Sequence, residues 1–175
     1  MDLQDFESQL MYFDKPMSEE VSELIEKAAA AYSEGEAEPY LQRAFDIDPD
    51  NLSVLVALYR FYYYQHRYED AIDIADHVMS VVAPTIKFPS HWSEIQFAHL
   101  ARGVMESFTM VRFYLLAVKG AAYLNLRLGN MELGVRMLNK VIELDNKDRL
   151  GARVLLQAMG PAVVTEKQAV PASQC

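Results

Sequence analysis

Apolar residues recur along most of the chain at spacings of three and four, which is the period of an α-helix. Residues typical of helix boundaries lie between these segments: Ser18 stands where an N-cap is expected, Pro39 suits a first helical turn, and Pro49 follows a helix end. The pattern predicts eight or nine helices, over residues 2–13, 18–33, 39–48, 51–65, 68–82, 90–106, a pair within 118–146, and 148–159.

The segment 51–84 has the most regular arrangement of large and small apolar residues. Its packing positions are Leu55, Leu58, Tyr62, Tyr68, Ala71 and Ala75. This spacing resembles the tetratricopeptide (TPR) repeat, a helix–turn–helix unit of about 34 residues. The resemblance extends over roughly residues 18–146. It implies a right-handed TPR-like helical solenoid of about three units, whose usual work is binding in a concave groove.

The outer units follow the repeat less closely. In the first unit Pro49 matches the pattern, whereas Ala28 stands in place of an aromatic residue. In the third unit Gly134 takes the small position and Asn146 replaces the usual proline. Gly129 lies at the turn between the two helices, where a positive φ is expected.

Additional segments complete the predicted fold. An inserted helix, capped by Ser90 and carrying Trp92, separates the second unit from the third, and a helix over 148–159 covers the C-terminal end of the array. We expect one all-α domain over residues 1–160 and a disordered tail over 161–175, which has few large apolar residues.

The TPR register implies which side chains line the groove. The implied partner-binding residues are Val56, Arg60, Tyr63, Lys119, Tyr123 and Arg127. Tyrosine and arginine suit protein contacts because they supply large area and hydrogen bonds. A second interpretation is that Tyr63 and Tyr64 pack against the inserted helix around Trp92. The family's carboxylate clamp for chaperone tails is not expected, because Val56 and Arg60 depart from it.

The N-terminal segment 2–13 predicts a short amphipathic helix with Leu3, Phe6, Leu10 and Phe13 on one face. Two interpretations are open for it. The helix caps the first repeat, or it docks in the groove of the same or another copy.

Composition narrows the choice of partner and compartment. The net charge is −9 and no cluster of Lys and Arg is present, which argues against nucleic acid as a partner. The most apolar stretch, 110–128, is interrupted by charges and is a poor membrane span. With an acidic N-terminus and one cysteine, Cys175, the chain is expected in the cytoplasm.

No constellation with catalytic or ligating chemistry is found in the sequence. The acidic run Asp46, Asp48, Asp50 lacks the glycine and glutamate that a calcium loop requires at its sixth and twelfth positions. The four histidines have no zinc spacing, and phosphate-loop, nucleophile-elbow and HExxH motifs are absent. We therefore expect no enzyme activity, no metal and no cofactor.

These observations predict a non-catalytic interaction module, an adaptor or assembly factor that binds a protein or peptide. The alternatives are a secretion-type chaperone, since small acidic TPR proteins resemble translocator chaperones of bacterial type III secretion, and a homo-oligomeric scaffold. The stretches VRFYLLAVKGAAYLNLRLGN and GVRMLNKVIELD also resemble small TPR proteins of nitrogen-fixing bacteria. That resemblance implies an accessory role in nitrogen fixation.

Overall fold

The computed structural model describes residues 17–32 and 35–164, and every regular element within these ranges is helical. The α-helices are α1 (Glu19–Ala30), α2 (Glu38–Ile47), α3 (Leu52–Tyr64), α4 (Tyr68–Thr85), α5 (Phe97–Arg127), α6 (Met131–Leu144) and α7 (Ala152–Val164). A 3₁₀ turn, Trp92–Glu94, precedes α5. The all-α prediction is confirmed for this part of the chain, while the predicted helix 2–13 and Cys175 lie outside it.

Each helix packs chiefly on its neighbours in the sequence. The main contacts join α1 to α2, α2 to α3, and so on through α6 and α7. The centre of the core is the second half of α5, where residues 113–122 are all buried. This stretch lies against both α4 and α6, which explains why its sequence is apolar on nearly every face.

Capping by short-range contacts accounts for several helix ends, and two of these, at Ser18 and Gly129, were predicted. The Ser18 hydroxyl accepts a hydrogen bond from the Val21 amide at 3.3 Å, and the Asn51 side chain caps α3 through the amides of Ser53 and Val54. Gly129 ends α5 with a φ of +86°. The short polar side chains of Ser18 and Asn51 satisfy amides that have no partner inside the helix.

The inserted helix differs from its prediction. It begins at Phe97, not after Ser90, and Gln96 with His99 forms the capping box at its start. The inserted helix is the first segment of α5. It is separated from the rest of α5 by a break at Ser107, whose φ of −162° and ψ of 110° are non-helical. The Ser107 hydroxyl accepts a hydrogen bond from the Met110 amide at 3.2 Å, so this residue caps the second half of α5.

Two other helix ends were predicted too early. Helix α4 includes Pro84, whose missing N–H removes one backbone hydrogen bond, and it ends one residue later at Thr85. Helix α7 starts at Ala152, after Asp148 caps it through the amide of Arg153, and it continues through Gly160 and Pro161 to Val164.

Gly134 allows α5 and α6 to cross closely. A Cβ built on Gly134 would lie 2.8 Å from the Ala122 carbonyl oxygen and 2.6 Å from a Leu126 side-chain carbon. Both distances are shorter than packed atoms tolerate, so only glycine fits this crossing. The sequence prediction that Gly134 takes the small packing position agrees with this environment.

Candidate functional site

A band of partly exposed side chains runs across α1, α3 and α5 and contains most of the predicted partner-binding residues. It has two adjoining parts. The tyrosine cluster consists of Tyr59, Tyr63, Tyr68, Tyr123 and Arg127. The α1–α3 pocket is the cavity beside it, on whose wall Arg60 lies.

The tyrosine cluster joins three helices through aromatic contacts. Tyr59 and Tyr63, one turn apart on α3, stack with ring centroids 6.3 Å apart and an interplanar angle of 17°. The Tyr63 ring also lies 6.4 Å from Tyr68 on α4 and 6.4 Å from Tyr123 on α5. Such offset and tilted arrangements suit the aromatic quadrupole, so the rings hold one another in place.

Gly120 leaves room on α5 for the side chain of Tyr59, which reaches across from α3. A Cβ built on Gly120 would lie 2.7 Å from the Tyr59 hydroxyl oxygen. Tyr63 and Tyr123 each lie about one turn beyond this crossing, and their rings therefore face each other. The Tyr59 side chain is 3% exposed and fills the space that a larger residue at Gly120 would need.

Arg127 places a positive charge at the α5 side of the cluster. Its guanidinium lies 5.3 Å from the centroid of the Tyr68 ring and 5.8 Å from that of Tyr123, and its Nη1 donates a hydrogen bond to the Tyr123 hydroxyl at 2.8 Å. That hydrogen bond raises the pKa of Arg127, which is charged throughout the physiological range. The cluster thus presents exposed cationic and half-buried aromatic surface together.

The α1–α3 pocket continues the band toward the N-terminal end of the described chain. It has a volume of about 420 Å³ and is mostly apolar, with Ile25, Ala29, Tyr32, Phe61 and Tyr64 among its lining residues. The rings of Tyr32 and Phe61 meet edge to face at 6.2 Å, and burial raises the pKa of Tyr32. A pocket of this size accommodates one or two apolar side chains of a partner.

Two of the six predicted binding residues do not belong to the exposed band. Val56 is 3% exposed and is part of the core. Lys119 is 8% exposed, and its Nζ donates a hydrogen bond to the Leu150 carbonyl oxygen. The position of α5 between α4 and α6 encloses Lys119, which holds the loop before α7 instead of facing a groove. For Val56 and Lys119 the predicted partner contact is therefore corrected.

The structure also bears on the alternative placement of the α3 tyrosines. Trp92 lies over a different cavity, together with Tyr114 of α5 and Met137 of α6, and its ring tilts against His91 at 5.2 Å. The ring contacts of Tyr63 are with tyrosines of α3, α4 and α5. The Tyr63 ring therefore packs among tyrosines and not around Trp92.

The sequence analysis did not predict that Gly120 and Tyr68 contribute to this band. Tyr68 fits the repeat spacing and was assigned to packing alone, although its half-exposed ring carries the Arg127 guanidinium. Gly120 had a usable signal, because a glycine inside an apolar helical segment marks a close approach of another element.

The acidic run before α3 forms a capped turn. The Asp48 carboxylate accepts a hydrogen bond from the Asn51 side-chain amide at 3.1 Å, and Asp50 lies 2.9 Å from the His77 ring nitrogen of α4. Within residues 17–32 and 35–164, no group of three or more His, Cys, Asp or Glu side chains is arranged to hold a metal ion. In the same ranges, no helix is both long enough and apolar enough to cross a membrane.

The described residues define an all-helical protein with neighbour-to-neighbour packing and a surface band rich in tyrosine. The chain belongs to the family of an uncharacterized 19.8 kDa protein in the nifW 5′ region of Azotobacter chroococcum mcd 1. The two are 52% identical over 159 residues, which cover 91% of this chain and 89% of its relative. The predicted likeness to proteins of nitrogen-fixing bacteria is thereby confirmed.

No protein-family model matches the chain. No solved structure matches it either. The TPR resemblance therefore stays a prediction drawn from residue spacing.

Proposed function

We propose that the chain is a non-catalytic protein-binding module of TPR-like architecture, which binds a segment of a partner protein along the band of α1, α3 and α5. The tyrosine cluster carries this proposal. Partly exposed tyrosine side chains and an exposed arginine that hold one another in place lose little conformational freedom when a partner binds, and such residues dominate protein interfaces.

The neighbour-to-neighbour packing of α1–α7 supports the solenoid part of the proposal. In a right-handed array of helix pairs, α1, α3 and the second half of α5 are the first helices of successive units and line one surface. The partly exposed positions Arg60, Tyr63 and Tyr123 lie on α3 and α5, in agreement with this arrangement.

The setting that we propose is an accessory step of nitrogen fixation in the bacterial cytoplasm. The support is the name of the relative, which places that protein beside nifW. The partner would then be a protein produced together with the nitrogenase system.

Affinity capture from nitrogen-fixing cells, followed by mass spectrometry, tests this function. We expect one dominant partner that is lost with the double variant Tyr63→Ala/Tyr123→Ala and retained with Tyr40→Ala, an exposed tyrosine of α2. A partner captured equally well by both variants, with all proteins folded by circular dichroism, would refute the assignment of the band.

The apolar α1–α3 pocket favours a second candidate, a chaperone that shields an apolar segment of a client. Co-expression distinguishes it from the adaptor. A client that is insoluble alone and soluble in a one-to-one complex supports the chaperone, and loss of that complex with Ala29→Gln would place the client segment in this pocket.

A further inference from the structure

A second surface lies at the opposite end of the helical series and takes no part in the band. The first segment of α5 is held by its buried side: a Cβ on Gly103 would lie 2.6 Å from the Phe88 ring, and Lys87 pairs with Glu106. The other side of the segment is uncovered. Phe97 is 72% exposed, Met105 88% and Phe108 56%.

Two of these uncovered residues, Phe97 and Phe108, belong to one wall of a cavity that we call the insertion groove. Phe97, Leu100, Val104 and Phe108 recur at helical spacing along this wall. The far wall is formed by the end of α6 and the loop before α7, and the volume is about 380 Å³. Contiguous exposed apolar surface of this kind marks a site of association.

The charge at the insertion groove is opposite to that of the whole chain. Arg112, Lys147 and Arg149 line it and are exposed, and none of them pairs with a carboxylate among the residues that the structure describes. The two acidic lining residues are engaged within the fold. Glu143 pairs with Lys140 at 2.8 Å, and Asp145 accepts a hydrogen bond from the Leu150 amide at 2.7 Å.

An occupant of the insertion groove should therefore be an amphipathic segment with apolar residues at helical spacing and several carboxylates. The N-terminal segment 2–13 has this chemistry. Leu3, Phe6, Leu10 and Phe13 follow helical spacing, and the first sixteen residues of the sequence include three aspartates, one glutamate and a single lysine. A net-acidic ligand is attracted to the three cations.

The length of the connection between the segment and α1 determines whether the segment comes from the same copy or from another one. Five residues, 14–18, connect it to α1, and they span at most about 17 Å when fully extended. Helix α1 packs on α2, whereas the insertion groove lies beyond α5, against α6. With neighbouring axes about 8–10 Å apart, the path over α3 and α5 exceeds roughly 20 Å before the groove is reached.

We propose that the insertion groove binds the N-terminal segment 2–13 of a second copy of this chain. One end of each chain then donates a segment and the other end accepts one. Such a contact is heterologous, so association continues beyond a dimer unless the chain of subunits closes into a ring.

Light scattering on the full-length protein gives the first test. We expect a mass that rises with concentration above the 19.9 kDa of one chain and falls with added salt, which screens the charge attraction. An excess of a synthetic peptide of residues 1–16 should return the mass to that of the monomer, and the same peptide with Phe6→Glu should not.

Paired variants give the decisive test. Phe6→Glu disables the donor segment and Phe97→Glu disables the groove, so each variant alone should associate at least about tenfold more weakly than the wild type. Their equimolar mixture should form a complex of two chains and no larger, because only one productive contact can form. Ile47→Glu, which adds the same charge at an exposed apolar residue of α2, is the matched control and should behave as wild type.

Charge exchange adds a readout that misfolding cannot imitate. Arg112→Glu with Arg149→Glu should weaken the association, and mixing this variant with Asp5→Lys/Glu7→Lys should restore it. A wild-type monomer up to about 1 mM, or a monomeric mixture of folded Phe6→Glu and Phe97→Glu proteins, overturns the proposal. Because these variants leave the tyrosine cluster intact, partner capture by that cluster is measured independently.

Discussion

Replacing Lys119 with methionine separates its observed structural contact from the partner contact that the TPR resemblance implies. Lys119 is 8% exposed, and its ammonium group donates a hydrogen bond to the Leu150 carbonyl oxygen in the loop that leads into α7. Methionine keeps most of the apolar stem but cannot donate, so the substitution leaves that carbonyl without this donor.

The size of the effect follows from two opposing contributions. Losing a hydrogen bond from a charged donor costs about 1.5–3 kcal/mol. Part of this loss is offset, because Leu150 is only half-buried and water reaches its carbonyl, and because a buried ammonium no longer needs to be desolvated. We expect a net destabilisation of about 1–2 kcal/mol, or a fall in Tm of about 2–8 °C for a chain of this length.

Thermal unfolding and amide hydrogen exchange together check this expectation. Exchange should accelerate in α7, which begins next to the loop held by Lys119, and should change little in α1. The control is Lys27→Met, because Lys27 is 57% exposed and its pairing with Glu23 contributes little. If Tm and α7 exchange were unchanged while partner capture failed, Lys119 would act at an interface and the structural argument would be refuted.

Three further predictions concern stability. Gly134→Ala should lower the free energy of unfolding in urea by about 1–2 kcal/mol, because the new methyl group meets the Ala122 carbonyl and this clash exceeds the helix-propensity gain of about 1 kcal/mol. A stabilised variant would contradict this expectation. Ser107→Ala should cost about 1 kcal/mol by removing the cap on the Met110 amide, and an unchanged unfolding midpoint would show that packing alone sets the break in α5. Burial raises the pKa of Tyr114, so the stabilisation from its neutral phenol is fully present below the ordinary phenol pKa of about 10 and declines as the pH rises above it. In urea titrations, the free energy of unfolding should fall less between pH 8 and pH 11 for Tyr114→Phe than for the wild type. Equal falls for the two proteins would refute the assignment.

Helix positions and caps were predictable because they depend on local spacing and short-range hydrogen bonds. Ser18 and Gly129 illustrate this: each acts on its own helix end, as predicted. The inserted helix was predicted to end at residue 106, next to the break at Ser107, but the helical continuation from the break to residue 117 was not predicted. The inserted segment packs at Gly103 against Phe88 and Ile86, which lie well before it in the sequence, and the spacing within one helix does not encode such contacts.

The candidate site was predictable only in part for a related reason. The repeat register implied that Tyr63 and Tyr123 share one surface, and their ring centroids lie 6.4 Å apart. The register could not foresee that the enclosed position of α5 buries Lys119, or that Val56 of α3 lies in the core. Burial depends on the neighbouring helices, and the spacing within one helix does not encode it.

The neighbour-to-neighbour packing of the helices has a consequence for how signals travel along the chain. Energetic coupling between the tyrosine cluster and the insertion groove has to pass through α5, since α1, α2 and α3 have no major contact with α6 or α7. The break at Ser107 lies within that one connecting helix. We expect the two ends to fluctuate and open nearly independently, so occupancy of one surface would leave the affinity of the other almost unchanged, and one copy could hold a partner protein and a second copy of this chain at once.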